Sequence, residues 1–274
     1  MKKTIAFLRV LYDKVNENEI LPLATQLTYR LIFSLFPFLI FLVSLVGFFD
    51  IDAEFLLHEV YRLFPLQIAQ VVDNVIHEVV DTSRPAILST SLLLSLFTVT
   101  TGLMAVMRGI NRAYGFIDAR KAYVRWLYCI LLMFALAFAM IFSLLTIIFG
   151  DIIHAFLQHR LSIDAGLLTS LFGLVGFLIA ILIMLVVIML IYRLSCAHRQ
   201  PFAALLPGAL LTLFVWAISS SIFNFYINNF SRYSLVYGSI ASIFITMLWL
   251  NIISVTILVG AQFNALIAAR HSCN

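Results

Sequence analysis

The sequence has little charge. Only 11% of its 274 residues are Asp, Glu, Lys or Arg, whereas 63% are hydrophobic. Soluble globular domains carry about 25% charged residues. This composition therefore excludes an ordinary soluble domain and indicates a protein that crosses a membrane several times.

Glycine and proline are also scarce. The chain has 11 Gly and 6 Pro against 25 Phe, which favours helices over the alternating strands of a membrane barrel. No Pro- or Ser-rich linker and no low-complexity tract divides the chain. We predict an all-α polytopic membrane protein in which residues 1–274 form a single domain.

Residues with reactive or metal-binding side chains are few and scattered. Cys129 lies in an apolar run, Cys196 in a basic loop and Cys273 near the end of the chain, so we predict three free thiols. The histidines lack zinc spacing, and no phosphate-binding loop or nucleophile elbow is present. We expect no catalytic residue, no metal and no cofactor.

Uncharged apolar runs predict six transmembrane helices, because about 20 apolar residues cross a hydrocarbon core of about 30 Å. The first run, Leu31–Phe49, has Arg30 directly before it and contains Pro37, which predicts a kink. The predicted spans are residues 24–49, 86–107, 126–149, 166–192, 203–227 and 238–267.

Positive charge predicts the orientation of these spans. The chain start, the second and fourth connections and the tail hold twelve Lys or Arg residues, whereas the alternate connections hold four. Cytoplasmic loops carry the excess of positive charge, so we predict that both termini lie in the cytoplasm. The net charge of +4 is then a topology signal, and we expect no nucleic-acid partner.

The connection between the first two spans, residues 50–85, is too long for a simple turn. It contains two apolar stripes at helical spacing, separated by Pro65. We predict two short amphipathic helices that lie on the outer face as an extracytoplasmic cap. The cap is either a packed cover or a moving gate.

The first predicted span opens with a polar stripe. Gln26, Arg30 and Ser34 are spaced four residues apart and therefore lie along one helix face. Arg30 either snorkels to the membrane surface or faces inward and binds an anionic group. The predicted spans contain no Asp or Glu, so an inward-facing Arg30 would have no carboxylate partner within the membrane.

The fifth and sixth spans carry a second polar set, which includes Asn224 and Asn251. An unsatisfied amide in the middle of a span costs several kcal/mol, so Asn251 is expected to hydrogen-bond another helix. Two interpretations stay open: these groups join helices, or they line a polar path. Small residues at four-residue spacing in other spans permit a homo-oligomer without requiring one.

Several segments together resemble the YihY/BrkB family of bacterial inner-membrane proteins. The segment ATQLTYRLIFSLFP contains an A-x-x-L-x-Y pattern that leads into Ser-Leu-x-Pro. GINRAYGF, LPGALLTLFVWAISSSIFNFYI and the closing WLNIISVTILVGAQFNA fit the same pattern. Arg30 and Gln262 depart from it, since a neutral residue and an acid are expected there.

The resemblance implies six spans and cytoplasmic termini. It also implies a role in the cell envelope, in one relative the handling of a lipopolysaccharide precursor. The family has carried the label ribonuclease BN, but this sequence has neither an acidic metal cluster nor an ordered basic groove to support nuclease activity. We expect no enzyme.

Two functions remain as hypotheses. The first is a transporter of an anionic lipid or amphiphile, in which Gln26 and Arg30 bind the headgroup, Ser34 continues the stripe, and the polar faces of the last two spans line the route. The second is a structural envelope protein that binds partners through residues 50–85. The expected partners are therefore membrane lipids, and in the first case a lipid substrate.

Overall fold

A computed structural model describes residues 2–48, 85–161, 165–229 and 239–272 of the chain. Between residues 49 and 84 it describes ten single residues, which are Glu54, Leu57, His58, Tyr61, Ala69, Gln70, Val72, Asp73, Asn74 and Ile76.

Within the described residues the chain is helical and contains no strand. The long helices are α1 (Lys2–Glu17), α2 (Ile20–Phe48), α3 (Pro85–Tyr114), α4 (Ala122–Leu161), α5 (Ala165–Ser195), α6 (Phe202–Asn229) and α7 (Ser239–Ser272). Helices α2 to α7 each contain a stretch long and apolar enough to cross a membrane. The prediction of an all-α membrane protein with six spans is confirmed.

Several helices extend beyond the predicted spans at the end where charge is concentrated. Helix α3 continues past Arg108 to Tyr114, and α4 begins at Ala122, ahead of Arg125. Long arginine side chains reach water from within a helix, so the helical hydrogen bonding does not have to stop where the apolar run stops. We call this end of the bundle the basic end; it carries Arg108, Arg112, Arg120, Arg125, Arg193 and Arg199.

The six long apolar helices pack in chain order around the bundle. Helix α2 makes its most extensive contact with α3, and α7 closes the bundle by packing against both α6 and α2. Helix α3 also reaches α7 and α5, so it lies towards the centre. On α2, the buried residues Ile20, Ala24 and Leu27 follow helical spacing and form the face that packs inward.

The amphipathic helix α1 was not predicted. It ends in a turn at Asn18 and Glu19, where Glu19 adopts a left-handed conformation with φ of 54°. Two contacts with the last helix, α7, hold it in position. The Phe7 and Phe263 rings pack edge-on with their centroids 5.5 Å apart, and Asn18 Nδ2 donates a 2.8 Å hydrogen bond to Gln262 Oε1. Helix α1 therefore packs on α7 at the basic end.

Most of the predicted cap, residues 50–85, lies outside the described residues. The single residues described between 54 and 76 are helical. Tyr61 OH donates a 2.6 Å hydrogen bond to Asp73 Oδ2, and Ala69, Val72 and Ile76 are buried at helical spacing. Val72 belongs to one of the predicted apolar stripes. The arrangement of the whole cap stays a prediction.

Candidate functional site

The polar stripe of α2 turns from the surface into the contact between α2 and α3. Gln26 is exposed, Arg30 is half-buried, and Ser34 is 4% exposed. Ser34 Oγ donates a 2.9 Å hydrogen bond to the Leu31 carbonyl. A Cβ atom on Gly102 of α3 would lie only 3.4 Å from Ser34 Oγ, so the two helices approach closely here and Arg30 sits at the edge of their contact.

The Arg30 guanidinium has no protein partner within the described part of the chain. No hydrogen bond or ion pair to it is formed there. The positive charges of Arg30 and of Arg125 of α4 both act on the neighbouring Arg108 of α3. Three helices thus bring like charges together at the basic end.

Pro37 lies inside α2, and the helix continues on both sides of it to Phe48. The predicted kink at Pro37 stays a prediction. Upstream, the exposed rings of Tyr29 and Phe33 pack against each other with their centroids 4.9 Å apart. This aromatic pair flanks Arg30 on the surface of α2.

Asn251 does not join the Arg30 stripe. Its Nδ2 atom donates a 3.1 Å hydrogen bond to Thr28 Oγ1, on a different face of α2 from Arg30. Thr28 is fully buried and lies 3.3 Å from Ser254 Oγ of α7. The expectation that Asn251 bonds another helix is therefore met. The side chain of Asn224 lies outside the described residues.

A second polar cluster connects α5, α6 and α7. Tyr192 is fully buried, and its hydroxyl donates a 2.8 Å hydrogen bond to the Ile257 carbonyl while lying 2.6 Å from Thr212 Oγ1. Gly208 and Gly260 face each other so closely that a Cβ on Gly208 would collide with the Gly260 carbonyl. The polar groups of this cluster act between helices.

The loop after α5 is organised by Asn111 and Arg120. Asn111 Nδ2 donates to the Ser195 carbonyl at 2.9 Å, and its Oδ1 accepts a 2.7 Å hydrogen bond from the Ala197 amide. Arg120 donates to the same carbonyl at 2.8 Å. Asparagine and arginine thereby satisfy the last carbonyl groups of α5, which the helix itself leaves free.

Arg120 also binds Asp118 through two parallel hydrogen bonds of 2.8 Å each. Burial pushes the pKa of Asp118 upward, but the hydrogen bonds and charge of Arg120 outweigh it and lower that pKa below its usual value. The hydrogen bond to Asp118 raises the pKa of Arg120. Both oxygens of this carboxylate are thus bound by one arginine.

A metal centre finds no support in the described part of the chain, where no group of three or more His, Cys, Asp or Glu side chains comes together. Cys129 and Cys196 are buried free thiols, as predicted. The cleft between α4 and α5 is lined by apolar residues such as Leu132 and Val187 and is too narrow for a water molecule.

Sequence reasoning interpreted Arg108 and Arg125 only as topology signals. It also missed the capping role of Asn111, although this residue lies in the GINRAYGF segment. The only signal in the sequence was an asparagine close to a basic loop. That this side chain caps the end of α5 follows only from the packing of the bundle.

These features define the protein as a polytopic helical membrane protein in which Arg30, Arg108 and Arg125 form no hydrogen bond or ion pair within the described part of the chain. Residues 11–273 match the family described as virulence factor BrkB. The chain therefore belongs to the virulence factor BrkB family.

Among its relatives, the ribonuclease-like protein YfkH of Bacillus subtilis (strain 168) is 27% identical over 97% of this chain and 96% of its own length. A UPF0761 membrane protein of Pseudoalteromonas translucida (strain TAC 125) is 31% identical over 36% of this chain and 34% of its own. Another, from Xanthomonas campestris pv. campestris (strain B100), is 36% identical over 31% of this chain and 20% of its own. No solved structure matches the chain significantly.

Proposed function

We propose that the protein is an inner-membrane transporter of the cell envelope that handles an anionic lipid or amphiphile, with both termini in the cytoplasm. The observation that carries the proposal is Arg30, a half-buried cation at the edge of the α2–α3 contact without a protein partner in the described residues. An anionic headgroup supplies the partner that a guanidinium in a membrane requires.

The surroundings of Arg30 suit an amphiphile that lies along α2. Gln26 is exposed one turn nearer the start of α2, and Ser34 follows one turn further into the membrane. Phe33 is exposed on the same helix, about 4.5 Å further along its axis than Arg30. A headgroup at Arg30 and Gln26 would therefore place its acyl chain along the exposed ring of Phe33.

The route proposed here differs from one lined by α6 and α7. The central polar side chains of those helices bind other helices, as Thr212 does to Tyr192 and Asn251 does to Thr28, and Ser221 bonds a carbonyl of its own helix. We therefore place the headgroup path at the outer edge of the α2–α3 contact, with Gln26 and Arg30 at its start.

A lipid translocation assay tests this function. Protein is reconstituted into vesicles that contain a fluorescent phosphatidylglycerol, and a membrane-impermeant quencher reports lipid that reaches the outer leaflet. We expect the protein to accelerate quenching relative to protein-free vesicles, and Arg30→Gln to remove most of the effect. Arg9→Gln, an exposed arginine on α1, is the matched control and should leave the rate unchanged. Equal rates with and without protein, for anionic and zwitterionic lipids alike, would sink the proposal.

A second candidate is a structural envelope protein without transport activity. The hydrogen bonds that tie α5, α6 and α7 together favour it, because a tightly joined bundle is what a scaffold needs. Its partner would bind residues 50–85. Crosslinking at Tyr61 in cells distinguishes the two, since a scaffold would give one dominant protein adduct and a transporter would give lipid or self-adducts.

We propose no enzymatic step and no nucleic-acid partner for this chain. The name of one relative contains the word ribonuclease, but metal-assisted nuclease chemistry needs a cluster of metal ligands, and the described residues assemble none. Incubation of the purified protein with RNA and divalent cations checks this, and cleavage above the level of a mock purification would contradict it.

A further inference from the structure

Arg108 of α3 and Arg125 of α4 lie near each other because α3 and α4 pack in a defined register. Met107 Sδ and Cys129 Sγ are 3.8 Å apart across the two helices. Arg108 is the residue after Met107, and Arg125 lies one turn before Cys129. Arg125 therefore lies on the face of α4 that packs against α3, and Arg108 lies at the same level on the exposed side of α3.

Arg30 reaches the same region from α2. The Arg30 carbonyl lies 3.9 Å from the Cβ position of Gly102, and Arg108 follows Gly102 by six residues, or about 9 Å along α3. Arg30 and Arg125 both lie near enough to Arg108 for their positive charges to act on it. Three guanidinium groups from three helices thus share one patch.

The patch is not neutralised by protein groups in the described residues. None of the three guanidinium groups has a hydrogen bond or ion pair there. Asp118 is close enough to feel Arg125, but its two oxygens are bound by Arg120. A snorkelling arginine needs only water, yet three like charges held together repel each other unless an anion lies between them.

The patch lies at the depth in the membrane where lipid headgroups are found. Trp126 follows Arg125 in sequence and is 36% exposed, and Tyr29 precedes Arg30 and is 60% exposed. Tryptophan and tyrosine are enriched where the hydrocarbon core meets the headgroups. Guanidinium groups bind phosphate oxygens through paired hydrogen bonds, which makes arginine the preferred side chain for this anion.

We propose that Arg30, Arg108 and Arg125 form a binding site for the phosphate group of an anionic phospholipid in the leaflet at the basic end. The site deepens the proposed function, on which it rests, because it names the chemical group that is bound and adds two residues to Arg30. The site favours a phosphate that carries neither a bulky substituent nor a positive charge beside it. Phosphatidic acid therefore binds best, phosphatidylglycerol less well, and zwitterionic phosphatidylcholine worst.

Native mass spectrometry of the detergent-purified protein tests the site by counting retained lipids. The protein is titrated with each of the three lipids, and the apparent affinity is compared between wild type, Arg108→Gln and Arg125→Gln. Loss of one charge-assisted contact should weaken phosphatidic acid binding about 10-fold or more. Arg108→Lys, which keeps the charge and loses the planar fork, should give a smaller loss. Arg108→Lys also tests the site if the Arg108→Gln protein fails to fold.

Matched controls are Arg112→Gln and Arg199→Gln, because both arginines are exposed at the same end of the bundle. They should leave the affinity within about twofold, as expected for a diffuse surface field screened by salt. Equal losses in the control and site variants, or equal retention of phosphatidylcholine, would overturn the proposal. Displacement of the lipid by millimolar inorganic phosphate would show that the source is a soluble anion and would overturn the lipid assignment.

Binding and transport can fail separately. Lipid retention that depends on Arg108 and Arg125, without accelerated lipid movement in vesicles, would leave this site standing and remove the proposed transport. Lipid movement that depends on Arg30 but is indifferent to Arg108→Gln and Arg125→Gln would retain the function and remove the three-arginine site.

Discussion

Asn264 of α7 completes the hydrogen bonding of α6 beside Pro207. Its Oδ1 atom accepts a 2.6 Å hydrogen bond from the Gly208 amide, and its Nδ2 atom donates one of 3.0 Å to the Leu205 carbonyl. A proline inside a membrane helix frees backbone groups that lipid cannot satisfy. One fully buried amide therefore supplies both a donor and an acceptor to α6.

Replacement of Asn264 by leucine should destabilise the bundle strongly. Loss of a hydrogen bond to a buried group costs about 1–3 kcal/mol, and Asn264→Leu removes two such bonds. The free energy of unfolding, measured by titration with sodium dodecyl sulfate in mixed micelles, should fall by about 2–4 kcal/mol. Asn251→Leu is the control, because Asn251 bonds a hydroxyl that already donates to the Ala24 carbonyl. A loss of equal size in both variants would show that Asn264 has no special role at Pro207.

Gly208 and Gly260 should tolerate no side chain. A Cβ on Gly208 would collide with the Gly260 carbonyl, and one on Gly260 would collide with the Thr212 and Tyr192 hydroxyls. Because backbone and buried groups cannot move aside cheaply, Gly208→Ala and Gly260→Ala should each cost about 1–3 kcal/mol in the same titration.

Gly176 provides the matched control for this pair. A Cβ at Gly176 meets nothing within 4 Å. Alanine in a helix is better than glycine by about 0.5–1 kcal/mol, so Gly176→Ala should be neutral or stabilising. A destabilisation by Gly176→Ala as large as that by Gly208→Ala would mean that the close approach of Gly208 and Gly260 does not set the result.

The sequence predicts the membrane-spanning helices well because uncharged runs can cross a bilayer in few other ways. It predicts that Asn251 needs a partner, because an amide in hydrocarbon requires one. It does not predict that the partner is Thr28, since a face of a helix is visible in sequence but its register against another helix is not.

At the basic end, too, the sequence does not reveal how one helix is positioned against another. Sequence counts place Arg108 and Arg125 on the cytoplasmic side, yet the meeting of their charges with Arg30 depends on the Met107–Cys129 contact and on Gly102. Helix α1 was missed for a different reason: a short amphipathic helix gives no long apolar run, and its end at Glu19 lacks the glycine that usually marks such a turn.

Cys196 should be unreactive in the folded protein. Burial raises the pKa of its thiol to about 12, against a smaller lowering by Arg120, and the thiolate is the species that attacks alkylating reagents. At pH 8, iodoacetamide should label Cys196 slowly in detergent and rapidly after denaturation, as measured by peptide mass spectrometry. Arg120→Gln removes hydrogen bonds to the end of α5, so it should open the loop and speed labelling. Rapid labelling of the native wild type would contradict the buried position of this residue.

The Asp118–Arg120 pair should make stability depend on acid. The folded pKa of Asp118 lies below its ordinary value of about 3.9, so the folded state favours the ionised form more than the unfolded state does. The stabilisation is therefore complete above about pH 4 and is lost as the pH falls through the folded pKa. Unfolding of the wild type, followed between pH 3 and 6, should show this loss.

Asp118→Asn should flatten the acid-dependent part of that curve and lower stability at pH 6, because Arg120 loses its carboxylate partner. Glu17→Gln is the control: the Lys14–Glu17 ion pair at 2.7 Å is largely exposed, with 43% and 63% of the two side chains accessible, and exposed pairs contribute little. Its curve should overlay that of the wild type. An unchanged curve for Asp118→Asn, or a change as large in Glu17→Gln, would mean that other carboxylates set the acid sensitivity and that Arg120 stabilises the end of α5 through the Leu194 and Ser195 carbonyls alone.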